Sequence, residues 1–211
     1  MTELDAELLG RWELLAGQRA RAVGTAVIRC YREPHRRYHT VRHLRAVLRV
    51  VDELSSAAVD LEAIRYAAFY HDAVYAVRRG DNEERSARLA GAALSSLGVR
   101  PETVGEVIRL IGLTVAHTPA EADSDGAVLC DADLAVLGAG ERDYAAYARA
   151  VRAEYRHVPP ELYRMGRTAV LRRFIDRPVL FRTAVGRERF ESRARDNLAQ
   201  ELRALRVSPV A

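Results

Sequence analysis

The sequence predicts an all-α fold, and three observations predict it. Apolar residues recur at intervals of three and four in nearly every segment, the period of an amphipathic helix. Runs of alternating apolar and polar residues closed by hairpin turns are absent. Proline, glycine and small polar residues fall between the periodic segments, where helices begin and end. At 211 residues, about half of them hydrophobic, the chain is long enough to close one core. The expectation is a single domain over residues 1–211, a bundle of about eight to ten helices.

The elements follow in order. Thr2 and Asp5 form the outline of a capping box, opening a long first helix that ends by Pro34. A second helix, from about His39 to Leu54, carries the stripe Leu44, Val47, Leu48, Val51 and Leu54. The third runs from about Leu61 to Ala76, its inner face read as Leu61, Ile64, Ala68, His71 and Tyr75. Gly80 interrupts the chain, and Asp81 with Glu84 has the cap spacing for a fourth helix through Leu97. Pro101 suits the first turn of a fifth, which His117 ends. "TPAEADSDG" reads as loop, and "CDADL" places Asp131 and Asp133 at the start of the next apolar helix. Further helices lie in 141–205, the last over about 187–205. Tyr144, Tyr147, Tyr155 and Tyr163 on them are candidates to cover a partner subunit, which would make a homodimer.

Composition narrows the function classes. The net charge is +4 with a pI near 9.3, but the arginines alternate with acidic residues along helix faces. No basic run with interleaved aromatics offers a stacking surface, so nucleic acid is not an expected partner. No apolar run reaches membrane-spanning length and the start is acidic, so a cytoplasmic protein is expected. Cys30 and Cys130 form no disulfide framework and read as small core residues.

The chemistry lies in histidines and aspartates that share the buried side. His39 and His43 are four apart on a row that continues through Val47. His71 points where the core should be, with Asp72 beside it. Buried carboxylates cost several kcal/mol without a compensating cation. A divalent ion supplies that charge, and mixed His/Asp ligation suits manganese, iron, cobalt, nickel, zinc or magnesium. H-E-x-x-H, the phosphate-binding P-loop, G-x-S-x-G and G-x-G-x-x-G are all missing, and neither cysteine has the context of a nucleophile.

One histidine on an early helix, the adjacent pair in "FYHDAVY" and a later aspartate in "DADLAVLG" resemble the signature of HD-domain metal-dependent phosphohydrolases. The resemblance covers about Tyr38 to Gly138 and, with "REPHRRYH" and "DNEERSA", points to small bacterial proteins of that superfamily. "YHTVRH" also resembles the Y-H-N-x-x-H segment of cyclic-nucleotide phosphodiesterases, with Thr40 in place of the Asn. The resemblance implies an HD-type fold and hydrolysis of a phosphate ester of a nucleotide or small phosphorylated metabolite. It implies one or two divalent ions held by His43, His71, Asp72 and Asp133, with Asp131 the alternative to Asp133. His39 is then the general acid, and Asp72 serves both metal and catalysis. His117, Arg42 and Tyr75 are candidates to touch substrate, and His117 also to join a second metal site. Arg36 and Arg37 are further candidates to neutralise phosphate. Two other readings stay open, a di-iron oxygenase and a non-catalytic nucleotide sensor.

Overall fold

The computed structural model describes residues 2–207. Its ten helices are α1 (Glu3–Ala16), α2 (Arg21–Cys30), α3 (Val41–Glu53), α4 (Leu61–Tyr70), α5 (Asn82–Ser96), α6 (Pro101–Leu113), α7 (Ser124–Leu134), α8 (Glu141–Glu154), α9 (Pro160–Ile175) and α10 (184–207). No strand occurs among the described residues. α10 contains a π-turn at Arg187–Glu191. One contiguous buried cluster runs from Leu8 on α1 to Leu202 on α10. None of the helices is long and apolar enough to cross a membrane.

Several boundaries correct the sequence expectation. The first helix is two helices, because Gly17 adopts φ +83° and turns the chain. The Thr2–Asp5 capping box is present at its start. Trp12 explains how α1 and α2 stay together: it is fully buried and donates from its indole to the Ala20 carbonyl at 2.9 Å. A methyl group on Gly24 of α2 would fall inside the Trp12 ring. Gly24→Ala is therefore expected to cost about 1–3 kcal/mol, read as a lower urea midpoint at unchanged slope.

The third helix is the important correction. α4 stops at Tyr70, and His71 is its C-cap rather than a mid-helix residue. Side chains from the preceding segment make that stop possible without glycine. Tyr31 donates its hydroxyl to the Phe69 carbonyl (3.0 Å), while buried Arg36 donates to the carbonyls of Asp72 (2.7 Å) and Ala73 (3.0 Å). Carbonyls that the helix leaves unpaired are thus satisfied from outside it. Arg36 also reaches the His39 carbonyl at 3.2 Å. It ties the 71–73 turn to the loop before α3, and its guanidinium is occupied by these carbonyls and by the Glu33 carboxylate (3.0 and 2.9 Å).

α3 begins at Val41 with Thr40 as N-cap, so His39 precedes the helix and shares no helical row with His43. His117 follows α6 by a short turn, with φ +51°, instead of ending it. Asp131 and Asp133 lie in the last turns of α7, not its first. Asp81 occupies the N-cap of α5 but makes no cap hydrogen bond; its carboxylate pairs with Arg79.

Candidate metal centre

Three chain segments converge between α3, α4 and α7. α3 is fixed by its buried stripe Leu44, Val47, Leu48 and Val51, which turns His43 to the same inner side. The exit of α4 supplies His71 and Asp72. The end of α7 supplies Asp133. His43 and His71 are both buried, and their Nε2 atoms lie 3.0 Å apart. Asp72 Oδ2 is 3.1 Å from His71 Nε2 and 3.3 Å from His43 Nε2. Asp133 Oδ1 is 3.3 Å from His43 Nε2 and 3.6 Å from His71 Nε2.

These separations suit a shared cation. Ligand atoms at about 2.0–2.2 Å from an ion, at octahedral or tetrahedral angles, stand about 2.8–3.6 Å from one another. His43, His71 and Asp133 form a group that could hold a metal ion. Tautomers agree with this. His71 Nδ1 is 2.9 Å from the Ala68 carbonyl, which can only accept, so Nδ1 carries a proton and Nε2 is the nitrogen aimed at the cluster, whose lone pair a bound ion would take in place of a proton. Two imidazole nitrogens facing each other at 3.0 Å need a cation or a proton between them.

Electrostatics repeat the point. Burial works against every charge in the cluster, yet the partners outweigh it. Asp72 is held well below the usual carboxylate range by His71, His39 and His43. Asp133 is held well below it by His117, His43 and His71. The carboxylates in turn hold His43 above, and His71 well above, the ordinary imidazole value. The two carboxylates stay ionised against imidazoles held toward their cationic form, positive charge that a bound ion would supply in their place.

Asp131 and Asp133 are two residues apart on α7, about 200° around the helix, so one alone can face the cluster. Asp131 faces the other way: it is buried and accepts from the amides of Arg182 and Thr183 (2.8 Å each) and from the Thr183 hydroxyl (2.7 Å). It anchors the chain entering α10. His117 Nε2 donates to Asp133 Oδ2 at 2.8 Å, which turns Oδ1 toward the imidazoles. Its Nδ1 is buried with no hydrogen-bond partner. His117 therefore meets the cluster through Asp133, a candidate ligand that it orients.

His39 reaches the site by a route the sequence reading did not anticipate. The buried carboxylate of Glu154, at the end of α8, accepts at Oε1 from the amides of Arg37 (2.7 Å), Tyr38 (2.8 Å) and His39 (3.1 Å). At Oε2 it takes His39 Nδ1–H (2.8 Å) and the Tyr75 hydroxyl (2.9 Å). The His39 ring stacks on Tyr75 at 4.1 Å, and its remaining nitrogen, Nε2, is unclaimed by Glu154. A signal for Glu154 existed: Tyr144, Tyr147, Val151 and Glu154 follow the 3–4–3 spacing of an inner face. Nothing local named its partner, 115 residues away.

Burial opposes ionisation of Glu154, but His39 and the backbone amides prevail and bring it down to about 2. A lowered carboxylate stabilises the fold above its unfolded value near 4.5, and that contribution disappears as pH falls toward 2. The loss is expected to approach about 3 kcal/mol. Urea midpoints measured between pH 6 and pH 3 should fall more steeply for the wild type than for Glu154→Gln.

The cluster opens into a cavity of about 630 Å³, lined by Asp72, Tyr75, His39, His117 and Asp133 at its floor and by α8 and α9 on its walls. Tyr75 and His117, two of the substrate-contact candidates, line this cavity. Arg42 is exposed on α3 and Arg37 is exposed before it, and neither lines the cavity. Arg37 donates to the carbonyls of Pro34 and Arg36. The four tyrosines expected to cover a partner subunit face inward. Tyr144 is buried and donates to Glu201, and Tyr147, Tyr155 and Tyr163 line the cavity. In comparisons with known proteins, no family model, no curated protein and no solved structure matches the chain.

Proposed function

We propose that the protein is a metal-dependent phosphohydrolase of the HD type, acting on a phosphate ester. The observation that carries this reading is the convergence of His43, His71, Asp72 and Asp133, with the two carboxylates lining the floor of an open cavity and the oriented His39 beside them. His43, His71 and Asp133 would hold one divalent ion, with Asp72 completing the set. The chemistry such an ion supplies is polarisation of a phosphoryl oxygen and activation of water.

The protein's own groups do the rest. Glu154 fixes His39 with Nδ1–H toward its carboxylate, leaving Nε2 to carry a proton to the departing oxygen. Asp72, the carboxylate closest to the imidazole pair, would accept a proton from the attacking water while also serving as a ligand. His117 holds Asp133 in one orientation through its hydrogen bond. Tyr75 supports the His39 ring from one face and Glu154 from below.

The test is phosphate release from a panel of phosphomonoesters and phosphodiesters, with manganese, cobalt or magnesium added in turn to chelator-treated protein. Metal-dependent release that returns on re-addition supports the reading. Silence across the panel with metal bound would remove it in favour of a binding protein.

A further inference from the structure

The walls of the cavity differ in character from its floor. Apart from histidines, the cationic side chains among its described lining residues are Arg79 and Arg167, and both are already paired. Arg167 is buried and donates to both oxygens of Glu201 (2.8 and 3.0 Å) and to the Tyr147 hydroxyl (3.1 Å). Arg79, on the rim, donates to both oxygens of Asp81. The other charged wall residue, Glu83, is acidic. A single divalent cation would be matched by Asp72 and Asp133 alone.

Away from the floor the lining is aromatic and aliphatic. Tyr155 and Tyr163 lie 6.2 Å apart at the wall. Val115, Leu162 and Val170 also line it and are 57%, 58% and 41% exposed, large aliphatic groups left open where the cavity meets solvent. Such surface is normally covered, and here it is continuous with the metal-binding floor. A polyphosphate would bring further anionic groups against walls with no unpaired cation to receive them, at a desolvation cost that nothing offsets.

We infer that the substrate carries a single phosphoryl group on an uncharged apolar or aromatic body, which the α8–α9 wall receives, and that polyphosphates are excluded. This rests on the phosphohydrolase reading for the position of the phosphoryl group at the floor. The distinguishing experiment measures binding as well as turnover. Calorimetric titration of metal-loaded protein with methylphosphonate, naphthylmethylphosphonate, octylphosphonate and a methylene-bridged nucleoside triphosphate analogue compares bodies and charge with no bond broken. The naphthyl or octyl compound is expected to bind at least tenfold more tightly than methylphosphonate, and whichever of the two wins tells an aromatic body from an aliphatic one. The triphosphate analogue should bind no more tightly than methylphosphonate. Val170→Lys, at an exposed wall position, should reverse part of that order by adding a free cation. Tightest binding of the triphosphate analogue to the wild type, or no gain from either apolar body, overturns the inference. The same order of binding with no hydrolysis of the matching phosphomonoesters would sink the phosphohydrolase reading and leave the cavity's preference standing; hydrolysis that favours triphosphates would do the reverse.

Discussion

Alanine at His71 is expected to lower divalent-metal affinity at least 100-fold, about 3 kcal/mol. His71 Nε2 stands 3.0 Å from His43, 3.1 Å from Asp72 and 3.6 Å from Asp133, so it lies at the centre of the donor set. Its ring is held by the Ala68 carbonyl and buried to 1% exposure, which means little ordering is left to do when it binds. Removing it deletes one donor and leaves two carboxylates facing a single imidazole. Because the vacated volume will also cost stability, metal content must be read beside a urea curve. Asp131→Asn provides the matched control. It disturbs the amides of Arg182 and Thr183 and should cost about 1–3 kcal/mol of stability, yet it should keep its metal. Asp133→Asn should lose metal. Elemental analysis of the three variants after loading and desalting decides the matter, and metal retained by His71→Ala or Asp133→Asn would refute the ligand set.

His39→Ala should separate binding from turnover. The ring has no close contact to the candidate ligand imidazoles beyond packing, at 5.7 Å between the His39 and His43 centroids, so metal content should stay at the wild-type level. Turnover should fall 10²- to 10⁴-fold, the usual worth of a positioned general acid. Glu154→Gln should fall between wild type and His39→Ala, since it keeps an acceptor for the three amides and loses the anion that fixes Nδ1–H. Substrates with a good leaving group need less protonation, so the deficit of His39→Ala should shrink for an aryl phosphate. A uniform deficit across leaving groups would show that His39 positions substrate instead of donating a proton. Unchanged turnover would remove it from the chemistry altogether.

The two expectations differ in how far local sequence supported them. His43 was legible because α3 is strongly amphipathic, so the stripe Leu44, Val47, Leu48 and Val51 dictates which way its neighbour points. The pair His71–Asp72 was legible as an anomaly, two polar residues at the end of an apolar run. Its setting was not legible, since the helix ends at Tyr70 through hydroxyl and guanidinium groups of Tyr31 and Arg36, about 40 residues earlier. A helix terminus made by distant side chains leaves no glycine or proline in its own segment to announce it. The four-residue spacing of His39 and His43 suggests a shared helical row that His39 does not occupy, yet it reaches the site because Glu154 gathers the three amides before α3.

Periodicity by itself determined that this chain is helical and which faces are inner, because burial of an apolar stripe is a local property of spacing. Residue chemistry by itself pointed to inner histidines and aspartates that form a group able to hold a cation, because unpaired buried charge is costly wherever it lies. The tertiary structure alone decided which donors meet. It turned Asp133 inward and Asp131 toward α10, set His117 on Asp133, and put Glu154 behind His39. Those choices depend on contacts between segments far apart in the chain, and the directions of such contacts are fixed only when the helices pack.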